Sequence, residues 1–333
     1  MTSSITRLTG AALAVTASLA LAACSSAPAG DADTSAPVDY PTKTITMIVP
    51  YAAGGPTDIA ARAIAQESEA ILGQTIVVEN RPGASGITGL AEVAAAAPDG
   101  YTLTFTTGNS FEQSVYRETP YTFESFEPIA GVFSQPYVLV TSPSTGVGSF
   151  ADLEALDSAT YATTGVGTPT HTDATQLFEQ IGVDATAVPF DGSAPAVQAV
   201  VGGQTTVFFG DAAQVMPFIE SGDLIPLAQF TVDGERVDYL PDVETIEELG
   251  IDAGDMSLPL WGIAAPAGTP AEIVEILRTT FLEVIQGDTF TEFADTNYFP
   301  LLTGDAEVDW YQTVQDTAAG TKAVLDKLGI VLQ

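Results

Sequence analysis

Two spacings of apolar residues alternate along most of this chain. Short β-branched and aromatic runs with strand character are followed by longer stretches with helical spacing. The pattern predicts strands over residues 45–49, 75–79 and 102–106, which bracket two helical stretches. The first of these helices runs over residues 59–72 and is stopped by Gly73. Residues 126–140 are an apolar crossover that ends in a strand over 137–140. A second unit starts near Phe150, with strands over 159–163, 185–188, 205–209 and 224–230 and helices between them. Residues 257–265 lead into a helix over 270–286, with Pro270 near its start. A terminal helix is predicted over 303–328, with Thr303 as its N-cap and Gly329 beyond its end. Regular alternation of strand and helix is the signature of largely parallel α/β sheets, and the length suits two such domains.

The N-terminus breaks the pattern. Residues 1–23 carry one cation, Arg7, then a small apolar stretch too short for a comfortable membrane span. It closes on Leu21-Ala22-Ala23-Cys24, which resembles a bacterial lipobox. The expected outcome is cleavage of a signal peptide before Cys24 and lipidation of its thiol; an ordinary signal peptide with a chance cysteine is the alternative. Cys24 is the chain's single cysteine, so no intramolecular disulfide can form. Residues 24–39 are rich in Ala, Ser, Pro, Gly and Asp and make a tether without a core, so the folded body is expected from Tyr40. With 9 Lys and Arg against 43 Asp and Glu, the net charge of −34 argues against nucleic acid and anionic membrane surfaces as partners.

Candidate chemistry sits in two glycine loops. In the first, the strand at 45–49 empties into Tyr51-Ala52-Ala53-Gly54-Gly55-Pro56-Thr57-Asp58. Glycines give the turn freedom, and Pro56 suits the first helical turn because its missing N–H would be unpaired there. Gly55 is the expected N-cap, and the free N–H groups of the helix end attract a carboxylate or phosphate. No Gly-Lys-Ser/Thr follows, so a small anion held by backbone donors fits better than a nucleotide. Asp58 falls at the third helical position, where it can reach back to the cap; direct contact with an amino group on a ligand is the second reading. The other loop, Thr163-Thr164-Gly165-Val166-Gly167-Thr168-Pro169-Thr170-His171, repeats the design, with Thr168 as N-cap. His171, the only histidine, falls in the first turn, where the helix dipole disfavours its charged form. It is expected to be a packed structural side chain or a neutral hydrogen-bond donor, and a lone histidine makes no metal cluster. Thr107, Asn109 and Ser110 follow a strand end, and Ser85 and Gly86 sit in a turn-rich stretch; these can line the same cleft, as can Asp211. Phe105, Phe190, Phe209 and Trp261 are read as core.

The run Val49-Pro50-Tyr51-Ala52-Ala53-Gly54-Gly55-Pro56-Thr57-Asp58 resembles the first signature of the Bug/TctC family, the extracytoplasmic solute receptors of tripartite tricarboxylate transporters. The resemblance continues in order through Val78-Glu79-Asn80-Arg81-Pro82-Gly83, Pro98-Asp99-Gly100-Tyr101, Val188-Pro189-Phe190-Asp191-Gly192-Ser193 and Ala265-Pro266-Ala267-Gly268-Thr269-Pro270. It implies a two-domain periplasmic-binding-protein fold of the type with two crossovers, with domain 1 over 40–140 plus 263–333 and domain 2 over 141–262. It also implies that the two glycine loops grip a small organic carboxylate between the domains, with Tyr51, Ala53, Gly54, Gly55, Thr57, Gly165, Gly167 and Thr168 as contacts. A membrane permease would be the partner of a lipid-anchored extracytoplasmic monomer. Asp191 departs from the lysine usual in the family, which removes a cation from that position.

An enzyme is the competing class. The chain has one histidine, no Gly-x-Ser-x-Gly elbow and no His-Glu-x-x-His, so no catalytic residue, metal or cofactor is assigned. A receptor that informs a signalling partner would use the same binding chemistry, and sequence does not separate it from a transport receptor.

Overall fold

The computed structural model describes residues 38–332 except 255, 258 and 303, and for residues 305–308 only the backbone. The expected signal peptide, Cys24, nearly all of the expected tether and Thr303 lie outside the described residues. Ten strands are described: β1 (Ile45–Val49), β2 (Ile76–Asn80), β3 (Thr102–Thr107), β4 (Phe126–Ser134), β5 (Tyr137–Thr141), β6 (Ser158–Thr163), β7 (Asp184–Pro189), β8 (Val207–Asp211), β9 (Ile225–Phe230) and β10 (Leu260–Pro266). The α-helices are α1 (Pro56–Leu72), α2 (Ile87–Ala94), α3 (Gly108–Tyr116), α4 (Phe150–Glu154), α5 (Pro169–Ile181), α6 (Ser193–Val201), α7 (Ala212–Glu220), α8 (Ala271–Ile285), α9 (Asp288–Thr296) and α10 (Asp305–Leu328).

The strands form two five-stranded sheets, ordered β2-β1-β3-β10-β4 and β7-β6-β8-β5-β9. In each sheet four strands run one way. The exception is β10 in the first, antiparallel to β3 and β4, and β5 in the second, antiparallel to β8 and β9. Both exceptions are strands that the chain delivers from the other lobe. The first crossing is only Gln135 and Pro136, between β4 and β5. The second lies between β9 and β10, and the two crossings meet where the Gln135 N–H donates to the Pro259 carbonyl at 2.9 Å.

Both faces of each sheet are covered, which is why its strands carry long apolar runs. In the first lobe Ile64 of α1 and Leu277 and Phe281 of α8 pack on Met47, Leu103 and Ile263. Leu90 of α2, Phe111 of α3 and Trp310 and Val314 of α10 cover the other face. In the second lobe Leu177 and Phe178 of α5 pack beside Tyr161 and Phe209, while Val197 of α6 and Met216 of α7 meet Val138 and Phe208. Phe105, Phe209 and Trp261 are core, as expected, and Phe190 is partly buried against the second lobe's core. Among the described residues no helix is long and apolar enough to cross a membrane.

Five details differ from the sequence reading. Residues 126–140 hold two strands, because Gln135 and Pro136 break one long apolar run into pieces that pair in different sheets. The cut expected at 140/141 therefore falls too late, since β5 is hydrogen-bonded into the second sheet. The return expected at 263 falls inside β10, which pairs in the first sheet from Leu260. Finally, Gly304 caps α10, and α9 was not foreseen.

Gly262, mid-β10, lies under the Trp310 ring: a Cβ built there would stand 2.5 Å from the indole carbons. Gly262→Ala must push the tryptophan out of its seat and is expected to cost about 1–3 kcal/mol, measured by chemical denaturation.

Candidate functional site

The parallel strands of both sheets end on the same side as the crossings; β3 and β8 run straight into the starts of α3 and α7, and β1 and β6 reach α1 and α5 through the two glycine loops. That places the N-termini of α1 and α3 in one lobe and of α5 and α7 in the other around the crevice at the strands' carboxyl ends. A helix start leaves its first N–H groups without an intrahelical acceptor. In α1 the cap is Gly55, the first residue is Pro56, and no side chain caps the end. The N–H groups of Thr57 and Asp58 are thus the free donors. In α5 Thr168 is the N-cap and Pro169 the first residue, which leaves the Thr170 N–H in the same position.

The first loop is held open by its own acid. Asp58 is buried, and its Oδ2 accepts the Gly54 N–H at 2.9 Å, one residue before the cap. Its Oδ1 accepts from the Asn80 amide at 3.0 Å, and Arg62 pairs with it at 2.9 Å. Burial alone would raise the carboxyl's pKa, but the hydrogen bonds from Arg62, Gly54 and Asn80 and the Arg62 charge win and lower it. Of the two readings of Asp58, the structure gives it the cap-side role. Gly54 needs its glycine, at φ +83°, while Gly55 is extended at φ −80° and needs none. Asn80 was missed as a site residue: its amide also donates to the Tyr51 carbonyl at 3.1 Å, so it fastens both ends of the loop. Ala53 is exposed at the tip and Thr57 is buried.

Three hydroxyls join this loop to the end of β3. The Tyr51 hydroxyl lies 2.7 Å from Thr107 Oγ1 and 2.5 Å from Ser110 Oγ. Thr107 is the N-cap of α3, and Asn109 lies in that helix's first turn. Gly86 sits against Ser110, where a Cβ would clash, so the Ser85–Gly86 turn borders the same surface with Ser85 exposed.

The second loop is built from hydroxyls. Thr164 Oγ1 lies 2.9 Å from Thr170 Oγ1, and Thr168 Oγ1 donates to the Gly165 carbonyl at 2.8 Å. The Gly167 N–H donates to His171 Nδ1 at 3.0 Å. The histidine is therefore an acceptor on that nitrogen, because the loop presents an amide to it, which agrees with the packed side chain of the two expectations. Burial lowers its pKa, in keeping with a neutral ring packed near Tyr161. Gly167 is left-handed at φ +79° and lies against Leu325, Ile330 and Leu332 of the C-terminal segment. Asp211 ends β8 opposite Tyr137 and is held by Gln214 at 3.0 Å; desolvation pushes its carboxyl up to about 7. Asp191 is exposed in the turn before α6. The residues of each loop are thus assembled within their own lobe, and among the described residues no hydrogen bond ties one loop to the other.

Another cavity, of about 500 Å³, lies at the β4/β9 edge and is lined by Ser134, Pro136, Arg236, Tyr239 and Tyr298 with Asp233, Glu235, Asp238 and Asp295. It holds none of the predicted residues. Its acids repel an anion, and its arginine is paired with Glu248 at 2.7 Å. Among the described residues no group of three His, Cys, Asp or Glu is placed to hold a metal.

Two doubly covered α/β lobes, joined by paired crossings and with helix starts gathered at their strand ends, define a bilobal solute-binding protein. The chain belongs to the tripartite tricarboxylate transporter family receptors, TctC, whose family model matches residues 59–330. It is 32% identical over 303 residues to protein BugT of Bordetella pertussis, covering 85% of this chain and 92% of that one. A TctC solute-binding protein from Polaromonas, solved without ligand, superposes with a TM-score of 0.78 at 29% identity, covering 86% of this chain and 99% of that one. R. palustris Rpa4515, solved with adipate, superposes with a TM-score of 0.69 at 30% identity, covering 88% and 99%.

The Asp58 network carries a prediction. Asp58→Ala is expected to lower stability at neutral pH by about 1–3 kcal/mol, read by urea denaturation. The folded pKa is lowered, so this contribution is complete above about pH 4, the unfolded range, and is lost as pH falls through the folded value. Wild type and variant should converge in acid.

Proposed function

We propose that this chain is an extracytoplasmic receptor that captures a small organic carboxylate between its lobes and delivers it to a tripartite tricarboxylate-type permease. The observation that carries this reading is the pair of helix starts, α1 and α5, whose first amides have no acceptor among the described residues. The adipate held by the Rpa4515 relative is of the same chemical class. Cationic side chains are spent elsewhere: Arg62 on Asp58, Arg81 on Glu79 and Glu92, Arg278 on the carbonyls of Pro128 and Ile129. Main-chain donors suffice. Each hydrogen bond to a charged group contributes about 1.5–3 kcal/mol, and a micromolar ligand needs about 8 kcal/mol. Tyr51, Ala53, Thr57, Ser85, Thr107 and Asn109 form the first lobe's wall in this reading, and Gly165, Gly167, Thr168 and Asp211 the second's. A ligand that touches both walls binds the closed arrangement better, and that difference drives closure. The bound acid undergoes no chemistry; it is held and released. Lipidation of Cys24 would keep the receptor at the membrane beside its permease.

Calorimetric titration with a panel of short dicarboxylates, adipate included, tests the site. Gly55→Val keeps an allowed backbone, since a Cβ there meets only the Ala52 carbonyl oxygen at 3.6 Å. It is expected to fold normally and to lose at least about tenfold in affinity, the loss of roughly one such bond. Thr168→Val, which unpins the second loop, is expected to weaken binding as well. Unchanged affinity in both variants would remove the loops from the mechanism. A separate fractionation checks the anchor: Cys24→Ser is expected to move the protein from the membrane to the soluble fraction.

A further inference from the structure

The joint between the lobes buries two carboxyls that the capture loops do not use. Glu112 lies on α3 of the first lobe and Asp173 on α5 of the second, and they are 1% and 0% exposed. Ser257, on the second crossing, connects them. Its Oγ donates to Glu112 Oε1 at 3.0 Å, and its N–H donates to Asp173 Oδ1 at 3.2 Å. The Tyr116 hydroxyl donates to the other Glu112 oxygen at 2.7 Å, so Glu112 has a donor on each oxygen, as a carboxylate wants. Asp173 has no such balance. Thr172 reaches its Oδ1 at 3.3 Å, while Oδ2 is buried without a partner.

A bare carboxylate oxygen in a dry interface is costly, and two neighbouring carboxylates cannot both be charged there without a counter-ion. Among the described residues the groups around the pair do not supply one. Tyr116 of α3, Tyr137 of β5 and Asp211 at the end of β8 are neutral or acidic. His171, two residues before Asp173 on α5, is kept neutral by burial and receives the Gly167 N–H. From α10 comes the Thr321 hydroxyl, which is neutral. The charge of Arg117, at the end of α3, acts on Tyr121. Asp255 lies outside the described residues.

We propose that Glu112 and Asp173 form a proton-held latch between the lobes, with a proton on Asp173 Oδ2 that keeps the joint shut and whose loss to solvent sets two like charges against each other and loosens it. The electrostatics agree with the geometry. Burial raises both carboxyls, and the Glu112 charge raises Asp173 further. The sign follows directly. A raised folded pKa means that the folded state holds its protons longer than the unfolded chain, so the latch weakens stability progressively from about pH 4 upward, until the folded value is passed. The latch is independent of which ligand the cleft takes.

The test uses the chain carrying Cys24→Ser, with spin labels on cysteines placed at exposed Gln66 on α1 and Glu154 on α4, one in each lobe. Distances are read at about pH 5 and about pH 8.5, both above the ordinary carboxyl range. The wild-type distribution is expected to be narrow in acid and broad in alkali, and Glu112→Gln with Asp173→Asn to keep it narrow at both. The melting temperature of that double variant should exceed wild type by about 3 °C at the alkaline end and match it in acid. A wild-type distribution that does not change with pH overturns the proposal, without recourse to any variant. So does a double variant that broadens as wild type does.

Discussion

Each lobe of this receptor is completed by a strand that reaches it from the other lobe. β10 fills the gap between β3 and β4, and β5 fills the gap between β8 and β9. Without those insertions each sheet would be split, with unpaired backbone groups facing into a dry core. The consequence is geometric. The first crossing is two residues long and is hydrogen-bonded to the second. The lobes are therefore tethered at one joint, and the strand ends that feed α1, α3, α5 and α7 must lie on one side. Binding geometry here is a by-product of sheet closure.

In the proposed function that arrangement lets an acidic protein hold an acid. With 9 basic residues against 43 acidic ones, an arginine clamp is a scarce resource. Arg62, the cation nearest the first loop, is already spent shaping it through Asp58. Helix amides carry no such cost. They are present wherever a strand turns into a helix, and they are unsatisfied by construction. Glycine at 54 and proline at 56 keep side chains out of the way. The same economy recurs in the second loop, where threonine hydroxyls, not charges, fix the backbone.

Much of this was legible in the chain. β1 fell on residues 45–49 as expected, and Gly55 and Thr168 are the caps that Pro56 and Pro169 announce. Such features are local: a proline fixes φ and marks the first turn whatever surrounds it. The misses are non-local. Residues 126–140 look like one apolar run, and only the destination of each half separates β4 from β5. Asn80 belongs to the first loop although it stands 22 residues from Asp58, a distance that no short motif spans. His171 was placed correctly in the first turn, but its role depends on which way the Gly167 amide points. Glu112, Asp173 and Ser257 come from three separate elements, and their union has no trace in sequence.

The remaining tension is between a net charge of −34 and an anionic ligand. Distance resolves it. Screening confines exposed charges to about 8 Å at physiological salt, so most of the surface acids act on the ligand's approach and not on its bound state. The acids that do lie near the cleft are handled singly. Asp58 is ionised but enclosed by Arg62, Asn80 and the Gly54 amide, so its charge is answered locally. Asp211 is pushed up to about 7, which lessens its charge near neutral pH. Glu112 and Asp173 are removed from solvent altogether, in a joint that favours protonation. Each device takes negative charge away from the space between the helix starts. In the proposed function the acidic surface and the space between the helix starts are thus separate electrostatic regions of one molecule, and the boundary between them is drawn by burial and hydrogen bonding.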